Sequence, residues 1–330
     1  LKLKRVLKRV LFFILFLIVF IFVNNSSFTM EERNGGPFLL AHRGLAQTFD
    51  MEGITAETCT AERIYEPEHL YIENTIPSMK AAFDAGADMV EIDVQLTKDG
   101  EFAIFHDWIL DCRTNGIGTT RDFTMEELKQ LDIGYGYTAD NGESYPFRGK
   151  GIRLMPTLNE VLSSFPEKSF LIHIKSNGGN EGVQLAEYLS KYLDNRLSNL
   201  AVYGGDEPIA ALKEEIPNMR VMSKKTMKSC LLPYIIIGWT GYVPSSCTNT
   251  QFHIPEAYAN YLWGFPGKFL NRMEDVNSRV ILVAGNGGWS EGFDTVQDLE
   301  RIPKNYSGGI WTNRIDIISS LIEENAEKMK

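Results

Sequence analysis

Short apolar runs rich in β-branched residues alternate with helix-like stretches, and that alternation constrains the fold of this chain more than any other feature. The runs are Phe38–Ala41, Met89–Val94, Phe170–Ile174, Leu200–Tyr203, Met219–Met222, Thr250–Ile254, Val280–Val283 and Gly309–Trp311. Between them lie helical patterns such as Thr75–Ala85, Glu181–Leu193, Pro208–Ile216, Asp294–Ile302 and Asp316–Lys328. Parallel strands need a crossover of a dozen or more residues, which a helix supplies, so the pattern implies an α/β chain with a parallel sheet. Eight strands of this kind fit a closed (β/α)8 TIM barrel, and 330 residues suffice for one such domain. No repeat, low-complexity block or Pro/Gly/Ser linker divides residues 36–330, so residues 31–330 read as one domain.

One further run, Glu101–Phe105, breaks the alternation, because only Thr97-Lys98-Asp99-Gly100 separates it from the second strand. It must return as a hairpin extension of that strand. Asp-Gly favours a two-residue type I′ turn, which predicts the pairs Lys98 with Glu101, Leu96 with Ala103, and Asp93 with His106. That register brings His106 back to the barrel mouth beside the second strand.

Period-two alternation in Met89–Val94 sends Glu91 and Asp93 to one face and Val90, Ile92 and Val94 to the other. The apolar set suits the outer helix layer, so the acids point into the barrel. Two carboxylates there repel each other and resist desolvation, which a divalent cation with oxygen ligands would relieve. The alternative is an acid pair satisfied by Arg or Lys neighbours. His42-Arg43-Gly44 follows the first strand, the place where this fold puts its chemistry. Two histidines, an arginine and two acids at one mouth point to phosphodiester cleavage. The cation and Arg43 would neutralise phosphate oxygens, and His42 with His106 would exchange protons with nucleophile and leaving group.

Charge narrows the ligand class. Residues 1–30 hold five basic groups (Lys2, Lys4, Arg5, Lys8, Arg9) and no acid, leaving 28 basic against 43 acidic residues for the rest. A body this acidic repels nucleic-acid phosphates unless a local cationic pocket or bound cation intervenes, so no nucleic-acid partner is expected. The basic flank precedes Val10–Val23, an uninterrupted apolar run of 14 residues, and then Asn24 and Asn25. Residues 1–30 therefore read as a signal peptide or membrane anchor, with no clear small-x-small cleavage site and with the body extracytoplasmic, anchored or secreted. Export permits disulfides. Four cysteines allow three pairings; Cys59–Cys112 with Cys230–Cys247 is the expected set, against the alternative of four free thiols.

The set His42-Arg43-Gly44, Glu73-Asn74-Thr75, Gly86-Ala87-Asp88 with Glu91-Ile92-Asp93-Val94, Thr97-Lys98-Asp99-Gly100, His106-Asp107 and Pro156-Thr157-Leu158-Asn159-Glu160 resembles the glycerophosphodiester phosphodiesterase family in content and order. The likeness is dense from residue 38 to about 175 and thin afterwards, where Gly309-Ile310-Trp311-Thr312-Asn313-Arg314 carries it. It implies a phosphodiester hydrolase acting on glycerophosphodiesters or lysophospholipids, with Mg²⁺ or Ca²⁺ on Glu91 and Asp93, His42 and His106 as the acid/base pair, and Arg43 on the phosphate. Glu73 is either a further ligand or the residue that orients Arg43. Residues 107–153 resemble the family's capping insertion, with a plain long loop as the alternative.

Two departures stand out. The 28 residues Leu45–Ile72 look like an insertion that shapes the entrance. On the third strand, where the family has Glu-x-Lys, this chain has His173-Ile174-Lys175. Alternation points His173 and Lys175 inward, so His173 is a candidate ligand that would make Mn²⁺ or Zn²⁺ admissible, and Lys175 a candidate phosphate contact. Trp108 and Trp311 either line a glycerol or acyl pocket or pack in the core. The rival reading is a barrel that binds a phospholipid or envelope polymer without turning it over.

Overall fold

The computed structural model describes residues 2–27, 36–55, 58–192, 196–288, 291–304 and 306–328. The boundary expected at residue 30 lies outside them. Among the described residues nine strands form one sheet: β1 (Phe38–Ala41), β2 (Met89–Leu96), β3 (Phe102–Ile104), β4 (Ser169–Ile174), β5 (Leu200–Gly204), β6 (Arg220–Met222), β7 (Gln251–Pro255), β8 (Arg279–Val283) and β9 (Gly309–Thr312). Eight of them run in the order β6-β5-β4-β2-β1-β9-β8-β7, every neighbouring pair parallel. A parallel bridge from Val221 to Thr250 brings the two ends together, so the barrel is nearly closed. All eight expected runs became strands, within two residues at either end.

Two apolar layers follow from alternation. Val90, Ile92 and Val94 pack outward against helix residues such as Met79, Ala82 and Leu185. Leu40, Met89, Leu171, Ala201, Ile281 and Trp311 fill the barrel interior. Glu91 and Asp93 continue the inward row that Met89 begins, so they sit above that apolar floor, toward the C-terminal ends of the strands.

The hairpin differs from expectation by one residue. β3 pairs antiparallel with β2 as Val94 to Ile104, Gln95 to Ala103 and Leu96 to Phe102. The loop is Lys98-Asp99-Gly100, three residues rather than two, with Gly100 at φ 81°. Thr97 decides this: its hydroxyl donates to Asp99 and accepts from the Glu101 amide, while its backbone N–H takes the Glu101 carbonyl. A three-residue loop ending in a left-handed glycine is the next commonest hairpin connection. Asp93 therefore faces Phe105, whose amide donates to its carbonyl at 3.1 Å. His106 lies one residue past the end of that ladder.

Residues 107–153 are more than a loop. Leu110, Met125, Leu128, Ile133, Tyr137 and Phe147 share a second apolar core with Ala61, Ile64 and Ile72 of the Leu45–Ile72 insertion. The Cys59–Cys112 disulfide joins the Leu45–Ile72 segment to residues 107–153, the cap expected from the sequence, and Cys230–Cys247 closes a short loop on the barrel. Both pairs are those expected, and none of the four cysteines is free. The N-terminal helix Lys2–Asn25 is exposed along its apolar length, and Leu3–Asn25 is long and apolar enough to cross a membrane.

Candidate active site

Two left-handed residues build the rim of the mouth. Arg43 at φ 58° ends the turn out of β1, and Asn74 at φ 59° precedes the helix Ile76–Asp84. The Asn74 amide donates to the Arg43 carbonyl at 2.9 Å, so the two turns hold each other. Gly44 follows at φ 84°, and a Cβ there would come within 2.6 Å of Ser78 Oγ and 2.9 Å of the Ser78 backbone. Strained backbone of this kind persists only where its surroundings fix it.

Around this rim the eight candidate residues fall into connected groups. Arg43 Nη1 donates to Glu73 Oε1 at 2.9 Å, its Nε makes an ion-pair contact with Asp93 Oδ2 at 3.3 Å, and its amide donates to Glu91 Oε2 at 3.3 Å. Burial opposes the guanidinium charge, but Glu73 and Asp93 outweigh it and hold Arg43 above its usual range. The other oxygen of Glu73 lies 3.2 Å from Arg113 Nη1, so both its oxygens face arginines. Asn74 braces Asp93 by donating Nδ2 to Oδ2 at 2.9 Å and accepting the Asp93 amide.

Asp93 Oδ1 meets His173 Nδ1 at 2.9 Å and Lys175 Nζ at 3.7 Å. Glu91 Oε1 accepts from Tyr203 OH at 2.7 Å and lies 3.9 Å from His173 Nδ1. Tyr203 stacks on His173 with ring centroids 4.1 Å apart. Burial and the Asp93 charge push Glu91 up to about 8. Burial likewise works against the Asp93 charge, but Lys175, His106 and Arg43 overcome it and keep Asp93 well below the usual carboxylate range. Burial and Lys175 push His173 down to about 4.

These groups fit a divalent cation. Among the described residues, ligand atoms of Glu91, Asp93 and His173 all lie within 4.8 Å of one another. A cation with bonds of roughly 2.0–2.6 Å can bridge such a set. The raised Glu91 shows the strain that a positive ion would relieve. Glu73 stands apart from this set because its oxygens are engaged by the two arginines.

The two imidazoles are held differently. His42 Nδ1 lies 2.7 Å from Asn313 Oδ1, while Asn313 Nδ2 donates to Asp294 Oδ2. The amide is thereby oriented, so His42 carries its proton on Nδ1 and turns Nε2 toward Glu91 Oε2, 3.9 Å away. His106 Nδ1 meets Asp107 Oδ1 at 2.5 Å, and Asp107 Oδ2 accepts from Arg113 Nε at 2.7 Å. Burial and the Arg43 charge lower both histidines, His42 the further.

Arg113 escaped sequence reasoning although it ties Glu73 to Asp107. Besides Glu73 and Asp107, it donates to Tyr137 OH at 2.6 Å and to Thr60 Oγ1 of the insertion at 2.5 Å. Tyr203 was missed too, though alternation along β5 gave a signal for it. Trp311 packs in the interior, its ring 4.7 Å from His42, whereas Trp108 is largely exposed. One cavity of about 300 Å³ is lined by His42, Arg43, Tyr65, Glu73, Asn313 and Arg314, and a second of about 180 Å³ by Tyr203, His253, Glu291 and Trp311.

The fold and its mouth define an α/β-barrel protein of the kind seen in several solved structures. A glycerophosphoryl diester phosphodiesterase domain from Mycobacterium tuberculosis aligns with a TM-score of 0.61 at 16% identity, over 87% of this chain and 99% of that one. A phosphodiesterase from Oleispira antarctica, solved with the product sn-glycerol-3-phosphate, aligns with a TM-score of 0.52 at 18% identity, over 87% and 97%. In sequence, a glycerophosphodiester phosphodiesterase from Caldanaerobacter subterraneus subsp. tengcongensis is 46% identical over 107 residues, 32% of this chain and 40% of that protein. Another from Bacillus subtilis is 38% identical over 125 residues, 36% and 39%. The matched segment thus spans about two fifths of these relatives. Residues 42–230, more than half the chain, match the glycerophosphoryl diester phosphodiesterase family, and the chain belongs to it.

Proposed function

We propose that this protein hydrolyses glycerophosphodiesters to an alcohol and a glycerol phosphate, with a divalent cation at Glu91, Asp93 and His173. The observation that carries the reading is the matched pair of imidazoles, each tied at Nδ1 and reaching the same rim of buried acids and arginine. A binding barrel has no need of two such groups. Sn-glycerol-3-phosphate, the product held by the Oleispira enzyme, belongs to the product class expected here.

When bound, the cation would neutralise phosphate oxygens and act as a Lewis acid. Arg43 and Lys175 add positive charge at the same face, and Glu73 orients Arg43. His42, backed by a neutral amide and the more depressed of the two, serves as base and takes a proton at Nε2 from the attacking oxygen. His106, whose imidazolium is supported by the Asp107 carboxylate, gives its Nε2 proton to the leaving oxygen as the P–O bond breaks. The attacking oxygen is that of water or of a glycerol hydroxyl, and detection of a cyclic phosphate separates the two.

Residues 1–30 act as a membrane anchor in this reading, with residues 31–330 as the extracytoplasmic catalytic domain and residues 107–153 as its cap. Two disulfides support placement in an oxidising compartment. The test is alcohol release from a glycerophosphodiester by the full chain, with EDTA or with Mg²⁺, Ca²⁺, Mn²⁺ or Zn²⁺. Turnover that EDTA abolishes and one ion restores supports the proposal. Binding without turnover under every ion rejects it in favour of the binding barrel.

A further inference from the structure

The helix Lys224–Ile237 follows β6 and runs back along the barrel, so its C-terminal half lies at the N-terminal ends of the strands, opposite the active-site mouth. Among the described residues, that half presents an apolar face to solvent. Leu232, Ile235 and Ile236 are 57%, 43% and 71% exposed, at a spacing that puts all three on one side, while Cys230 and Tyr234 are buried on the other. Tyr242, 57% exposed, extends the patch just beyond Trp239. A clustered apolar surface of this kind marks a contact that the isolated chain does not provide.

The N-terminal helix ends on this patch. Asn24 Nδ2 and Asn25 Nδ2 donate to the Trp239 carbonyl at 3.0 and 2.9 Å. Arg272 donates Nη2 to the Asn24 carbonyl at 2.9 Å and Nη1 to Asn25 Oδ1 at 3.0 Å, a cation at a helix C-terminus. Phe20, one turn earlier, meets the Trp239 ring edge-on at 6.4 Å. The point where the apolar run gives way to asparagine is thus fixed against Trp239. Trp and Tyr concentrate at this level of a bilayer, the boundary between hydrocarbon and water.

We propose that Leu232, Ile235, Ile236, Trp239 and Tyr242 form a foot that embeds in the membrane interface beside the anchor and stands the barrel on the N-terminal ends of its strands. The inference rests on the anchor reading above. The occupant of the patch is lipid, because the patch is continuous with a helix whose own apolar sides are otherwise uncovered. The 14-residue helix spans about 21 Å, so the mouth opens roughly that far above the interface and away from it. Water-soluble glycerophosphodiesters reach such a mouth, and phospholipids of the same bilayer do not.

The test uses the full chain in vesicles of phosphatidylcholine and phosphatidylglycerol, spin-labelled at Ile236→Cys or Leu232→Cys, with Ile117→Cys on the cap as reference. Collision with oxygen and with a water-soluble nickel complex reports immersion. The expected result is oxygen access several-fold favoured over nickel at the two foot positions, and the reverse at residue 117. If the chain floats with the vesicles but the foot labels are as open to nickel as residue 117, the foot is rejected and the anchor survives. Spin–spin coupling between foot labels rejects it in favour of a second copy of the chain. A chain that does not float with the vesicles rejects anchor and foot together.

Discussion

The two histidines at the mouth stand on different supports. His42 is carried by the barrel itself: it leaves β1, and Asn313 at the end of β9 fixes its ring. His106 is carried by residues 107–153: Asp107 holds it, Arg113 holds Asp107, and Arg113 is anchored by Tyr137 of the second core and by Thr60 of the Leu45–Ile72 segment. One imidazole is therefore set by the packing of a parallel sheet, and the other by a buried ion network that depends on an irregular region. Cap and barrel damage should then be separable in kinetics.

The largest effect tests whether both supports matter. His42→Ala and His106→Ala should each lower kcat by roughly 10²–10⁴-fold with KM little changed. If either retains full turnover, its histidine is not a proton-transfer group. Next, Arg113→Met removes the centre of the cap network and leaves Glu73 and Asp107 buried without it. Denaturant unfolding should show a loss of about 3–5 kcal/mol. Its kcat should fall toward that of His106→Ala, and Arg113→Lys should recover part of both.

The disulfides sharpen the contrast. Replacing Cys59 and Cys112 by Ser opens a 53-residue span, and replacing Cys230 and Cys247 opens one of 17. Loop closure values these at up to about 4 and about 3 kcal/mol. The first change should depress kcat beyond its effect on stability, whereas the second should spare kcat at temperatures where the barrel remains folded. Equal kinetic loss in both would break the division between cap and barrel. Near neutral pH the smallest effect belongs to the barrel interior alone, and it grows only as the pH falls. Burial, and then the nearby His173, hold His253 down to about 3, so the folded protein keeps it neutral where the unfolded chain protonates it. Stability from this group is fully present above about pH 6.5 and falls by up to about 1.4 kcal/mol per pH unit below that. Thermal unfolding of His253→Leu should show a shallower acid slope than the parent protein.

The barrel was legible because its strands are short apolar runs bounded by helical patterns, a signal that each segment carries locally. The inward row of Glu91 and Asp93 was legible for the same reason, as was the convergence of His42 and His106 on one mouth. Arg113 was not, because it lies in a segment without periodicity and each of its partners is fixed by long-range folding. The hairpin register was off by one because Asp99-Gly100 also suits a three-residue loop. The choice fell to the Thr97 hydroxyl, a side-chain bond that no backbone propensity reports. His106 still reached the rim, since the chain continues past the last ladder pair. Asn313 lies in the Gly309–Arg314 segment, but its bond to His42 spans 271 residues and exists only in space.

The bond between the Asn74 amide and the Arg43 carbonyl clasps the two stems of the Leu45–Ile72 insertion, and the Leu45 amide on the Ser78 carbonyl adds a second clasp. Chain spliced between those stems can change without moving Arg43 or the brace on Asp93, whereas Arg113, and through Asp107 the His106 ring, feels any change that reaches Thr60. The segment is in that sense insulated from the mouth on the Arg43 side and wired to it on the His106 side.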